Sequence, residues 1–425
     1  MVAVFLLVTL FALLFAAVPI GLATGISTAL TMYLFTPDVP LQMLAQRSVT
    51  ALASFPLLAI PFFIFAGNLM GGAGISRRLV DLAESLVGAI AGGLALITVI
   101  ACSFFAAISG SSPATVSAIG SIMITEMDKK GYAPSFSTAV AACSGTIGVL
   151  IPPSIPFVVY SIVAKTSIGE MFIAGIVPGL MFTAALMVTA YIISKKRGYT
   201  GRKSVKPIRQ AFRDSIWALI TPIIILGGIY TGVFTPTEAA IAAIYYSIFI
   251  GMFVYKELTL KDIYECAHKA ALLNGITFYG LGYAIAFGVY LALERIPQFL
   301  VAEVTAFTSS KVLILLILNV FFLFLGCFMD NIAATIILTP ILLPLITSLG
   351  MNPLQFGVLM TVNFAIGFVT PPVGANLSVA SAISGVPIHT IAKESIPFII
   401  AMLICLMLIT FVPACSLGLL SILKP

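Results

Sequence analysis

Apolar residues fill this chain in blocks of about twenty, the length that crosses a bilayer as a helix, and polar residues gather in short gaps between the blocks. "VAVFLLVTLFALLFAAV" (2–18) and "VLILLILNVFFLFLGCF" (312–328) are two of them. The two-residue alternation that a membrane β-barrel needs is missing. The pattern predicts helical spans near 2–17, 19–35, 49–70, 135–164, 171–194, 215–234, 236–255, 271–293, 354–384 and 397–419. Short amphipathic stretches at 40–48 and 258–270 fit helices lying along the membrane surface. Two further blocks, 86–127 and 311–347, are apolar but interrupted near their middles by "SGSSPAT" (109–115) and "MDNIAAT" (329–335). They read as re-entrant hairpins, each with both ends on one face of the membrane.

Two of the spans are broken in the same way. "GVLIPPSIP" (148–156) and "GFVTPPVGAN" (367–376) each place a double proline inside an apolar run. Proline removes a backbone donor and clashes with a preceding carbonyl, so a helix cannot continue through either pair. The breaks lie 371 − 152 = 219 residues apart. The same offset pairs Gly131 with Gly350, Pro134 with Pro353, Gly148 with Gly367 and Pro178 with Pro397. The shared residues are those that fix backbone geometry, which marks an internal repeat covering most of each half.

Charge adds orientation. The chain is 60% hydrophobic and only 8% charged, far below the quarter or so of a soluble domain. Its net charge of +6 is concentrated, with "SKKRGYTGRKSVKPIRQAFR" (194–213) holding eight basic residues and no acid. A nucleic-acid patch is the less favoured reading of that stretch; a cytoplasmic loop obeying the positive-inside rule is the simpler one. Asp128-Lys129-Lys130 aligns with uncharged Thr347-Ser348-Leu349, so equivalent connectors fall on opposite faces and the repeats are inverted. The fold class is therefore an all-α polytopic membrane protein of two inverted repeats. Each has five spanning helices and one re-entrant hairpin, with broken helices at mid-membrane. The six cysteines have no paired spacing and the two histidines form no cluster, so neither a metal centre nor a catalytic site is indicated.

Irregular backbone inside a bilayer persists only where it lines a cavity or is buried in protein. Each break frees carbonyls near mid-membrane, and each hairpin tip adds carbonyl and side-chain oxygens. Oxygen cages of that kind suit a hard cation such as sodium, and half-helix N-termini suit an anion. Candidate sodium positions are Ser109, Ser111, Ser112, Gly148 and Ile151 in the first half, with Met329, Asn331, Gly367 and Thr370 in the second. Positions polar or charged in one half only need another reason: Ser109 faces Phe328, Ser154 faces Val373, and charged Asp330 faces Ser111. Ser109, Ser154, Asp330 and Asn376 are the candidate substrate contacts, Asp330 because a carboxylate inside a membrane is costly. Asn363 is a further candidate. Helix packing or a bond back to the helix is the competing reading for each.

The motifs "SGSSPATVSAIG", "GVLIPPSIP", "TGVFTPTEAAIAA" and "GFVTPPVGANL" together resemble the large membrane subunit of tripartite ATP-independent periplasmic (TRAP) transporters, over essentially the whole chain. The resemblance implies a sodium-driven importer of organic acids in the bacterial inner membrane, with an elevator-type moving domain and no cofactor beyond the coupling ions. It implies a periplasmic substrate-binding protein and a small membrane subunit of about four helices, here expected as a separate polypeptide. Scaffold and arm helices then occupy 1–85 and 214–310. The transport parts occupy 86–194 and 311–425, and the basic loop is 195–213. Sialic acid (N-acetylneuraminate) is the first substrate expectation and a four-carbon dicarboxylate the second. A stand-alone sodium/anion symporter is the alternative, and a membrane-embedded enzyme lacks the residue cluster it would need.

Overall fold

The structure, a computed structural model, describes residues 2–16, 18–53, 55–201, 207–308 and 310–423. Arg202, Lys203 and Lys206 of the basic loop lie outside the described residues. Among those described, all regular structure is helical. Seven helices are long and apolar enough to cross a membrane: Phe55–Gly72, Ile168–Lys196, Ile208–Tyr230, Pro236–Val254, Leu260–Leu293, Asn331–Ser348 and Ile388–Phe411. The others are shorter, either because they are halves of a broken span or because, like Val2–Phe15, they end within about four turns.

The order of elements recurs at the sequence offset. Helices begin at Ser112 and Asn331 (331 − 112 = 219), at Pro134 and Pro353 (353 − 134 = 219), and at Ile168 and Ile388 (388 − 168 = 220). Local chemistry sets these starts. Pro134 and Pro353 occupy the first helical turn, where a missing N–H costs nothing. Asn352 caps the second of these helices by accepting the Leu354 N–H at 2.8 Å. Thr235 and Glu238 form a reciprocal capping box ahead of Pro236–Phe249.

Both breaks fall where the prolines require. Helix Pro134–Gly145 tightens into a 3-10 turn, Thr146–Val149, stops at the Pro152-Pro153 pair and resumes as Ile155–Ala164. Helix Pro353–Gly367 stops before Pro371-Pro372 and resumes as Ala375–Ser384. The two broken helices pack on each other: fully buried Tyr160 lies against Gly357, and its hydroxyl donates to the Pro353 carbonyl.

Several boundaries differ from the sequence expectation. The stretches 258–270 and 271–293 form one continuous 34-residue helix, Leu260–Leu293, because "HKAALLNGI" contains no proline and the lone Gly275 does not stop it. In the first half the equivalent stretch is divided. Helix Gln42–Leu52 ends, and a 3-10 turn containing Pro56 leads into Ala59–Gly72, so the span starts at Phe55 rather than 49. The first hairpin starts at Gly93, not 86; before it, Ile75–Val87 is a separate amphipathic helix that the apolar-block reading missed. Ile296–Phe307 was missed in the same way. The span expected at 397–419 is helix Ile388–Phe411 followed, after Pro413, by Ala414–Leu423.

Candidate functional site

The first hairpin is helix Gly93–Ser109, a turn at Gly110-Ser111, and a continuous helix from Ser112 to Lys129 that carries one π turn, Val116–Gly120. Gly110 takes a left-handed conformation (φ 61°), which the turn requires of a glycine. Its carbonyl accepts the Ile155 N–H at 3.2 Å, pinning the tip to the start of the resumed helix after the first break. Ser109 Oγ lies 3.0 Å from Thr115 Oγ1. Thr115 donates to the Ser111 carbonyl twice, from its hydroxyl at 2.8 Å and its N–H at 3.1 Å. Gly148 closes the cluster. A Cβ there would stand 2.5 Å from both the Ser111 carbonyl oxygen and Thr115 Oγ1, so only glycine lets the break approach the tip this closely.

Asn376 joins the same cluster from the other half of the chain. Ser112 Oγ lies 3.0 Å from its Oδ1 and 2.8 Å from its Nδ2. The Nδ2 also donates to the Ala142 carbonyl at 2.9 Å. Ser112 and Asn376 are both fully buried. The structure thus brings together Ser109, Ser111, Ser112, Gly148 and Asn376, sodium and substrate candidates from both halves of the chain.

The remaining candidates in the first half are engaged in the backbone. Ser154 Oγ donates to the Val149 carbonyl at 2.6 Å and caps helix Ile155–Ala164 at its N-terminus. Ile151 packs its side chain on Gly179 of the next helix.

The second hairpin is looser. Helix Lys311–Gly326 is followed by a turn through Cys327–Asp330, and then by helix Asn331–Ser348. Asp330 is exposed on the protein surface and caps that helix, its Oδ2 accepting the Ile332 N–H at 3.0 Å. Asn331 is buried; its Oδ1 accepts from Thr335 Oγ1 at 3.2 Å, and its Nδ2 has no partner among the described residues. Met329 donates its N–H to the Leu325 carbonyl. Gly367 does not meet this tip. A Cβ on Gly367 would stand 2.5–2.6 Å from the backbone of Gly326, about one helical turn back. Thr370 Oγ1 donates to the Ile366 carbonyl at 2.8 Å. Among the described residues no hydrogen bond joins 327–331 to 367–376. Asn363 belongs to packing, bonding Asn319 Oδ1 and the Leu359 carbonyl, both at 2.8 Å.

Three residues outside the sequence-derived set belong to the site. Thr115 sits one turn beyond Ser111, a spacing that marks it as the natural partner of that carbonyl. A Cβ on Gly145 would stand 2.1 Å from Val116 and 3.2 Å from Asn376 Nδ2, so this glycine gives Asn376 its room. Gly326 does the same for Gly367. Their signal in the sequence was small residues near each break, which composition alone does not separate from ordinary helix packing.

Chemically, the first cluster offers hydroxyl, amide and carbonyl oxygens with no formal charge. That is a donor set for a weakly held hard cation or for the polar groups of a small organic molecule.

Residues 7–415 match the family model described as tripartite ATP-independent periplasmic transporter, DctM component. The chain is 46% identical over 404 residues to the isethionate TRAP transporter permease protein DctMQ of Oleidesulfovibrio alaskensis. That match covers 94% of this chain but spans only 64% of the relative. It is 42% identical over 397 residues to the C4-dicarboxylate TRAP transporter large permease protein DctM of Pseudomonas aeruginosa, covering 93% of each. It is 37% identical over 411 residues to the sialic acid TRAP transporter large permease protein SiaM of Vibrio cholerae, covering 95% of each. Among solved structures it is similar to the YdaH transporter of Alcanivorax borkumensis (TM-score 0.67, 16% identity, 89% of each chain). It is also similar to MtrF of Neisseria gonorrhoeae (TM-score 0.63, 11% identity, 87% of this chain and 83% of that one). At these identities the structural likenesses speak for the fold alone.

Proposed function

The chain belongs to the tripartite ATP-independent periplasmic transporter family as its DctM component, the large permease subunit, and from that premise we propose that it imports a small organic anion coupled to sodium. A periplasmic binding protein delivers the anion to the outer face of the inner membrane. A small membrane subunit braces the scaffold. The two halves are inverted repeats, and the hairpins with their broken helices move together as an elevator against the helices of 1–85 and 214–310.

The observation that carries this reading is the Asn376 side chain. It ties the first hairpin tip, through Ser112, to the second broken helix and to the first one at Ala142. Half-helix ends from both repeats converge there, as a mid-membrane ion and substrate site requires. Sodium sits among oxygens of Ser109, Ser111, Ser112, Gly148 and Ile151, and in the second half among Met329, Asn331, Gly367 and Thr370. The anion contacts Ser109, Ser154, Asp330 and Asn376. For the substrate we place isethionate and C4-dicarboxylates ahead of sialic acid, because identity falls from 46% and 42% to 37% along those relatives.

The test is uptake into proteoliposomes holding this chain, its small partner and a loaded binding protein. We expect accumulation of isethionate, succinate or N-acetylneuraminate only with an inward sodium gradient. Uptake without sodium, or without any binding protein, would favour the stand-alone symporter. The inverted arrangement has its own test. Cysteines at Lys130 and Ser348 are expected to react with an impermeant thiol reagent from opposite faces; reaction from one face overturns it.

A further inference from the structure

A cleft of about 890 Å³ opens beside the second break. It is lined by Thr370, Pro371 and Pro372 at the break and by His389 and Lys393 on helix Ile388–Phe411. Among the described residues no carboxylate lines it. The acid next to Lys393 in sequence, Glu394, is turned away into an ion pair with Arg197 at 2.7 Å. Lys393 is exposed and has no ion-pair partner among the described residues. The Arg197 contact holds this end of the helix against the basic 195–197 segment, which the positive-inside reading puts at the cytoplasmic face. An uncompensated cation in a cleft with low-dielectric walls focuses its field along the cleft.

We propose that this cleft is the cytoplasmic release path for the organic anion, and that Lys393 supplies the charge that draws the carboxylate or sulfonate from its site out past the Thr370–Pro372 break. The inference rests on the anion-import reading above. His389 lines the same cleft one helical turn from Lys393. Lys393 is a positioning residue on the exit side and touches neither sodium oxygen cluster. A lysine can also be held at a membrane surface simply by its long stem, with the ammonium at the lipid headgroups. The two roles differ in sidedness.

The experiment is counterflow in proteoliposomes of the assembled complex, with whichever of isethionate, succinate or N-acetylneuraminate the wild type transports. Half-saturating concentrations are measured separately for internal and external substrate. We expect Lys393→Glu to raise the internal value at least five-fold and leave the external value unchanged. Lys393→Gln falls between, and Lys393→Arg stays within two-fold of wild type. An unchanged internal value in Lys393→Glu overturns the proposal, and so does an equal shift on both faces. A defect that follows the phospholipid composition of the vesicles and leaves the internal value unchanged assigns Lys393 to headgroup anchoring and overturns it too. If wild type transports none of the three anions, the failure belongs to the function reading instead.

Discussion

Two hairpin-and-break pairs occupy equivalent places in the two halves, and they are built to different tightness. At the first, Gly148 presses on the carbonyl of Ser111 at the tip itself, and Pro152, Pro153 and Ser154 are buried. At the second, Gly367 presses on Gly326, one turn short of the tip, and Pro371, Pro372 and Val373 are exposed. At the sequence offset the partner of Gly367 should have been Asp330, the counterpart of Ser111 (111 + 219 = 330). The contact has slipped by 330 − 326 = 4 residues. Asp330 lies at the surface, and Thr370, Pro371 and Pro372 line the cleft shared with Lys393. The same break motif therefore yields a closed, hydrogen-bonded cluster in one half and an open one in the other.

The sharpest way to break the comparison is at the glycines. Gly148→Ala forces a methyl against a carbonyl and a hydroxyl at 2.5 Å, neither of which is a flexible side-chain end. We expect loss of uptake and a destabilisation of about 1–3 kcal/mol, the usual range for overpacking. Gly326→Ala meets Gly367 and Phe364 only at 3.2 Å and needs a shift of tenths of an ångström. It should keep most uptake. Gly71→Ala, with nothing within 4 Å, is the silent control. Thermal unfolding and uptake of all three decide it; equal behaviour of Gly148→Ala and Gly71→Ala would show that the tight approach does not matter.

Next in size is Asp330→Asn. Asparagine caps a helix about as well as aspartate, so the Ile332 contact and the fold should survive. What goes is the charge at the open tip. We expect uptake to fall about ten-fold or more, since a hydrogen bond to a charged group is worth roughly 1.5–3 kcal/mol and each 1.4 kcal/mol is ten-fold. Partial rescue by high sodium would assign the carboxylate to the ion, and no rescue would assign it to the anion. Near-normal uptake at low sodium refutes both roles.

The breaks, the offset and most spans were legible because proline, glycine and apolar length act locally, and Pro152-Pro153 and Pro371-Pro372 announce themselves in any context. The continuity of Leu260–Leu293 was not legible, since whether an amphipathic stretch bends away from the following span depends on a break that Gly275 does not enforce. Ile75–Val87 and Ile296–Phe307 escaped because their apolar residues form a face rather than a block. The site was legible by halves. Nothing in the sequence couples Ser112 to Asn376, 264 positions away, because that contact exists only once the first hairpin has packed on the second broken helix. The four-residue slip of the second pair was hidden for the same reason: the residues match at the offset, and only packing chooses Gly326 over Asp330.

The smallest expected effect lies in the hydroxyls, and it measures the difference between the pairs most directly. Ser112→Ala removes an oxygen from the closed cluster and leaves the buried Asn376 amide one partner short, a loss of about 1–3 kcal/mol. Thr370→Val keeps the shape at the open break and removes only a bond back to the Ile366 carbonyl of the same helix. Such a back-bond supports the helix little, because the carbonyl it takes is one the helix can use without it. If sodium is held mainly by the closed cluster, Ser112→Ala should raise the sodium concentration for half-maximal uptake several-fold, while Thr370→Val moves it less than two-fold. If the open pair holds sodium as tightly, the two shifts should be equal. A larger shift in Thr370→Val would reverse the assignment, making the exposed break the principal ion site and the buried cluster a hinge that joins the repeats.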